Sequence, residues 1–303
     1  MNKQKKALRL PTATERVRHN VNAWILMLPS LVLFAFFVWI PLFSTVRMSF
    51  YNVKGTTLQD FCGFDNYVKI AKNPVFSIAW GNTVKYTLCS LVVGFLVPIV
   101  IAALITETTH WKGFFRVGVY FPNIIPGIAA MMILTYFFRA GDSGVLNILL
   151  AKLGMAPRQW LNNSKYTIFW IVVAMTWKSA GSTALIYMAG ISGISSELYE
   201  AATIDGATPW RRFTAITIPS IVKLGKTMLI MQIIAVFQIL YEPLMMTNGG
   251  PNNASLSVME FVYDLAFTNM RMSQAAAMSV LVCIALIFLT ALYFWVDKRV
   301  SKE

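Results

Sequence analysis

Lys178 is the residue whose position most needs an explanation. It stands in the middle of an apolar run, beside Trp177. An ionisable group there costs about 2.5–3.5 kcal/mol on membrane-insertion scales, so it faces protein or water rather than hydrocarbon. Ser182 follows one helical turn later on the same face. In the next apolar run Gln232, Phe237, Gln238, Tyr241 and Glu242 mix amides, aromatic rings and a carboxylate, with Phe237/Tyr241 and Gln238/Glu242 each spaced i, i+4. Such a set can hold a solute that offers both hydroxyls and C–H surfaces, as a sugar does. The same residues also fit a structural role, Lys178 as an ion-pair partner and the glutamines as hydrogen-bond links between helices. Both readings stand at the level of sequence.

Catalysis and metal binding find no support in the residue types. Only His19 and His110 are present, and Cys62, Cys89 and Cys283 are odd in number and far apart. That pattern fits neither a disulfide framework nor a zinc site. Gly225-Lys226-Thr227 ends like a phosphate-binding loop, but the glycine required five positions earlier is Ser220, and the stretch opens an apolar run. The expectation is a chain with no catalytic residue, metal or cofactor of its own.

The segment 191–220 is too long for a plain connector. It reads as two short helices at an elbow. Ser196 is placed to cap the first, with Glu197 and Glu200 near its positive end. Gly206 falls where a left-handed residue would close it. Thr208 then caps a second helix with Pro209 in its first turn, where the missing N–H is harmless. Trp210, Phe213 and Ile216 recur at threes as an apolar stripe, and Pro219 is expected to end that helix.

The elements that position these residues follow from composition. Of 303 residues, 57% are hydrophobic and 13% charged, against roughly 25% charged in soluble domains. Mean hydropathy is +0.60. Six stretches, roughly 23–48, 78–106, 117–139, 166–190, 221–246 and 273–296, reach the 20 or so apolar residues that cross a bilayer. The first is too long for a signal peptide and lacks a small-x-small site. Pro29, Pro41, Pro98, Pro122 and Pro126 bend or start helices within these runs. The organisation is a tail over 1–22, a six-span domain over 23–296 and a tail over 297–303. The net charge of +13 sits in short segments between apolar runs, which argues against a nucleic-acid partner. With the N-terminus inside, fifteen basic residues fall on inner segments, including Lys3, Lys5, Lys6, Arg9 and Lys302, and nine on outer ones. The bias puts both termini in the cytoplasm.

Glu200-Ala201-Ala202, three residues to Gly206, nine more to Ile216, then Pro219 resembles the E-A-A…G…I-x-L-P signature of permease subunits of ATP-binding-cassette importers, with Ile218 in place of the leucine. Further strings resemble the carbohydrate-uptake branch that includes maltose, lactose and glycerol-3-phosphate importers. They are Phe61-Cys62-Gly63-Phe64-Asp65-Asn66-Tyr67, Gly81-Asn82-Thr83, Gly144-Val145-Leu146-Asn147, Trp160-Leu161, Thr247-Asn248-Gly249-Gly250-Pro251, and Arg271-Met272 before Ala275-Ala276-Ala277. The resemblance implies an all-α polytopic membrane protein of the type I importer fold in the bacterial inner membrane. It implies a coupling role for Glu200, Ala201, Ala202, Asp205, Gly206, Ile216 and Pro219, docked on a separate ATPase. The implied partners are a second, non-identical permease, two ATPase subunits carrying ATP and magnesium, and an extracytoplasmic solute-binding protein. Import of a non-sugar solute is the first alternative. An ion-coupled secondary transporter is the second, and would usually need more spans and an internal repeat.

Overall fold

The computed structural model describes residues 13–55, 57–108 and 110–300. Lys3, Lys5, Lys6, Arg9 and Lys302, which carry part of the orientation argument, lie outside these residues, as do parts of both tails. Among the described residues the regular structure is helical apart from one small hairpin. Helix α1 (Ala13–Phe34) continues through a π-turn (Ala35–Trp39) into α2 (Ile40–Ser49). Strands β1 (Tyr51–Lys54) and β2 (Thr57–Phe61) pair antiparallel, a feature the all-α expectation did not include. Then come α3 (Asp65–Ala71), α4 (Pro74–Glu107), α5 (Lys112–Ile124), α6 (Gly127–Phe137), α7 (Val145–Lys152) and α8 (Thr167–Ser192). The elbow is α9 (Ser196–Ile204) and α10 (Pro209–Arg212), joined by a π-turn (Phe213–Thr217) to α11 (Ile218–Phe237). Helices α12 (Tyr241–Met246), α13 (Val258–Tyr263) and α14 (Met272–Val300) complete the chain.

Among the described residues five segments are long and apolar enough to cross a membrane: Ala23–Ser49, Pro74–Glu107, Thr167–Ser192, Pro209–Phe237 and Met272–Arg299. A bent pair, α5 and α6, at 98°, makes a sixth if the two are taken as one broken span. A straight span over 117–139 was therefore the wrong shape. Proline explains the bend. Ile125 is extended (ψ 131°) because the residue before a proline is pushed out of the helical region, and Pro126 is itself extended (ψ 135°). The fifth span also differs from 221–246. It begins at Pro209 and stops at Phe237, leaving α12 separate.

Pro219 does not end the helix as expected. The preceding π-turn absorbs it: the Ile218 N–H donates to the Phe213 carbonyl, five residues back. The wider turn removes the clash a proline ring makes with the carbonyl four residues earlier. Pro41 repeats the device, with the Ile40 N–H on the Ala35 carbonyl.

Helices α4 and α8 make the most extensive contact in the chain. Ile99, Ala102, Ala184, Tyr187 and Met188 fill one end of their interface. Near the other end Tyr86, Met131, Ile171, Val172 and Val236 form a second cluster. A third joins α3 and α13 to α14 through Ile70, Val258, Leu265 and Met278. Small residues set the closest approaches, as between membrane helices generally. At Gly181 of α8 an added Cβ would sit 1.8 Å from the Val119 carbonyl oxygen of α5. Elsewhere large apolar side chains such as Leu26, Phe37, Leu96 and Phe288 point away from the chain, as expected of helices whose surroundings are lipid.

Candidate functional site

Lys178 lies at the break in the third span. Its Nζ is 3.5 Å from the Asn123 carbonyl oxygen, one of the last carbonyls of α5, which has no partner within its helix. A cation there also suits the negative end of the helix dipole. Gly127, on the far side of the break, lies beside the lysine: an added Cβ would be in ordinary contact with Lys178 Cε, at 3.7 Å. The same side chain lines a cavity of about 560 Å³ between α8, α11 and the Gln238–Leu240 link. Gln232, Gln238, Tyr241 and Glu242 also line it, together with Asn123, Ser179 and Thr183. Lys178 is within electrostatic reach of Glu242. The wall thus offers a cation, a carboxylate, amides, hydroxyls and one ring, beside Met175, Met228 and Met231. These groups can hydrogen-bond a polar solute, and no nucleophile is paired with a base among them.

Three expected pathway residues point elsewhere. Trp177 is exposed on another face of α8. The Ser182 hydroxyl donates to the Ser179 carbonyl at 2.8 Å and does not line the cavity. Phe237 is buried against Trp80, with ring centroids 6.4 Å apart. The i, i+4 pairings of Phe237 with Tyr241 and Gln238 with Glu242 fail because the helix stops at Phe237. Gln238 and Glu242 reach one cavity through the link instead. Gln232 serves both readings. Its Nε2 donates to Ser90 Oγ on α4, over Gly94, and its side chain also borders the cavity.

At the end of the molecule where α4 stops lies the elbow. Ser195, not Ser196, caps α9, its hydroxyl accepting from the Glu197 N–H at 3.3 Å. Gly206 has φ +73°, the left-handed turn its position called for. Thr208 caps α10, accepting from the Arg211 N–H at 3.3 Å, with Pro209 next. No residue of α9 is buried. Glu200, Ala201, Asp205 and Gly206 are exposed, Ala202 is half-buried, and Leu198, Ile204 and Trp210 present apolar surface. The stripe of threes holds for its first step only. Trp210 and Phe213 lie together, with ring centroids 5.7 Å apart, although Phe213 packs against the α4–α8 core and Trp210 is mostly exposed. The π-turn over Phe213–Thr217 falls between Phe213 and Ile216 and shifts the phase there. Ile216 is half-buried and Pro219 exposed.

Polar ties hold the elbow. Tyr199 Oη and Thr217 Oγ1 are 2.8 Å apart. Arg212 donates from one guanidinium nitrogen to Thr203 Oγ1 at 3.0 Å and from the other to Glu107 Oε2 at 3.3 Å.

The family of binding-protein-dependent transport system inner membrane components matches residues 94–302. The chain belongs to that family. It is a permease subunit of an importer of the ATP-binding-cassette class and an inner-membrane protein. This permease is 30% identical to the probable ABC transporter permease protein YurN of Bacillus subtilis (strain 168), over 94% of its own length and 99% of the relative's. It is 29% identical to the arabinooligosaccharides transport system permease protein AraP of the same organism, over 86% and 83%. Its fold matches a chain in the crystal structure of a bacterial ABC transporter that imports the acidic polysaccharide alginate, with TM-score 0.83, 24% identity and coverage of 94% and 97%.

The short strings noted in the sequence are clamps in this permease. Asn82 Nδ2 donates to the Asn253 and Leu256 carbonyls at 2.7 and 3.1 Å, and Thr83 Oγ1 accepts from the Val258 N–H at 3.0 Å. The Gly81-Asn82-Thr83 string thereby locks the loop that follows Thr247–Pro251. Asn147 bonds Trp160 Nε1 at 2.8 Å and the Arg158 backbone at 2.9 and 3.0 Å. Asn66 Nδ2 donates to the Ser49 and Tyr51 carbonyls at 3.0 and 3.1 Å. Each is a buried amide satisfying backbone that no helix or sheet serves.

Proposed function

We propose that this chain forms half of a sugar import pathway, and that its α9–α10 elbow docks on a separate ATPase. The observation that carries the second part is a nine-residue helix with no buried residue, small and apolar on its open side, that the rest of the chain leaves uncovered. A solvated helix this short is marginal alone, so a partner surface gives its shape a purpose. The small Ala201 and Ala202 would let the helix lie close in a groove, Gly206 permits the turn, and Glu200 supplies a charge for the partner's surface. The elbow then faces the cytoplasm, with both termini on that side, as the distribution of basic residues suggests.

The cavity supports a polyhydroxylated solute, because Lys178, Gln238, Tyr241 and Glu242 combine hydrogen-bonding groups with a ring face. The relative named for arabinooligosaccharides points to the same class. One six-span chain lines one side of such a path. The apolar window of the first span, none of it buried within this chain, is left for lipid and for a second permease. ATP and magnesium belong to the ATPase chains, and a binding protein delivers the solute from outside. ATP binding would draw two elbows together and open the bundle outward, and hydrolysis would return it, a shift between two packings. Family membership sets aside the ion-coupled alternative.

The test is reconstitution of the chain with its ATPase, permease and binding-protein partners. Uptake of arabino-oligosaccharides is expected to require ATP and this chain, and to fall in Lys178→Met and Glu242→Gln with assembly intact. Uptake of amino acids but no saccharide would overturn the sugar assignment. ATP hydrolysis indifferent to the chain would overturn the docking.

A further inference from the structure

The elbow is attached inward to the bundle as well as open on its outer face. With no residue of α9 buried, its attachment to the bundle relies on polar ties: Tyr199 to Thr217, before α11, and Thr203, through Arg212, to the end of α4. The elbow is not pressed against the end of α4. A cavity of about 490 Å³ lies between them, lined by Leu104, Glu107, Tyr199, Trp210, Arg212 and Phe213. Arg212 crosses this gap, holding Thr203 on α9 with one nitrogen and Glu107, the last residue of α4, with the other.

We propose that Arg212 is a positioning residue, a strut that transmits movement of the elbow to α4 and so to α8 and the cavity. The inference rests on reading the elbow as the ATPase-docking element. The two contacts require the planar fork of a guanidinium, since an ammonium on a flexible stem is a single point charge. Helix α4 is the fitting receiver, because its contact with α8, which carries Lys178, is the most extensive in the chain. The Glu107 side chain is 48% exposed, so the ion pair adds little to folding stability. Breaking it leaves a folded, assembled protein in which only transmission is altered.

The experiment uses the full complex in proteoliposomes, with ATP plus vanadate as the probe and Cys62, Cys89 and Cys283 replaced by serine. Spin labels at Ile204→Cys and Phe294→Cys follow the elbow, and labels at Leu153→Cys and Phe267→Cys follow the opposite end. Without further substitution both distances shift. In Arg212→Met the elbow shift persists, while the opposite end loses at least half of its switched population. Residues on a coupling route typically change coupling by a factor of roughly 2 to 30. Arg212→Lys and Glu107→Gln give intermediate losses, and exchanging the charges (Glu107→Arg with Arg212→Glu) restores part of the response. If Arg212→Met fails to assemble, Glu107→Gln and Thr203→Val, each removing one end of the strut, decide. Full opposite-end shifts in all these variants would overturn the strut and leave the docking reading intact. An elbow that does not move with ATP and vanadate even without these substitutions would overturn the docking reading itself.

Discussion

Gly181→Ala is the sharpest test of how the cavity is built. The new Cβ would lie 1.8 Å from the Val119 carbonyl oxygen, 2.5 Å from its carbon and 3.0 Å from Tyr120 Cα. All three atoms are backbone of α5, so no side chain can swing away. Taking 3.0 Å as the least tolerable separation, α5 and α8 must part by about 1.2 Å, which is 3.0 less 1.8. Overpacking a close-packed site costs typically 1–3 kcal/mol, and rigid backbone on both sides puts this case at about 3 or more. The parting also weakens the Lys178 contact with Asn123, already 3.5 Å long. Gly118→Ala on α5 is the control, because nothing lies within 4 Å of its added Cβ. Thermal unfolding of the purified complex is the assay. Gly181→Ala is expected to melt well below the unsubstituted protein and to lose uptake, with Gly118→Ala unchanged or slightly more stable. Equal melting of the two variants would refute the backbone contact and the placement of Lys178 that depends on it.

Other outcomes follow from single contacts. Asn82→Ala leaves two buried carbonyls without their donor, at about 1–3 kcal/mol each; protease cleavage within 247–257 should accelerate, and unchanged resistance would count against the clamp. Gly206→Val forces a β-branched residue to φ +73°, costing roughly 1–2 kcal/mol, and should lower uptake per ATP hydrolysed while leaving membrane insertion normal. Glu260 in α13 is buried, and burial, aided by the charge of Asp264, pushes its carboxyl up to about 8. Because the folded value lies above the ordinary one of 4.5, its contribution is fully present below that value and is lost as pH rises toward 8, by at most about 1.4 kcal/mol per unit. Melting measured across that range should therefore fall with pH, and Glu260→Gln should flatten the slope; an identical slope in the variant would contradict this.

What the sequence reveals depends on how local the cause is. The elbow is legible because Gly206, Thr208 and Pro209 act on their own backbone within a turn. The cap falls one residue early, on Ser195, because two adjacent serines offer the same chemistry. Pro219 misleads because a proline breaks a helix only if the turn before it stays α, and nothing in Phe213–Thr217 announces a π-turn. The third-span break is visible in Pro122 and Pro126, but its 98° angle is not. The separate α12 escapes notice because apolar residues continue past Phe237 to Met246, around Gln238 and Glu242, while the helix stops. Interlocks between distant segments are invisible in one chain read alone: Asn82 finds Leu256, 174 residues away, and Arg212 finds Glu107, 105 away. The cavity is half legible for the same reason. Lys178, Gln232, Gln238, Tyr241 and Glu242 line one cavity. Trp177, Ser182 and Phe237 share the chemistry but not the direction, which is fixed by where α8 and α11 meet their neighbours.

Thiol protection reads the docking of the elbow most directly. With Ala201→Cys in the cysteine-replaced background, a membrane-impermeant maleimide should label the permease freely in inside-out vesicles lacking the ATPase. Labelling should fall sharply once the ATPase is bound, while Leu153→Cys stays unreactive from that side in both states. Equal labelling of Ala201→Cys with and without the ATPase, or labelling only from the opposite face of the membrane, would contradict the account.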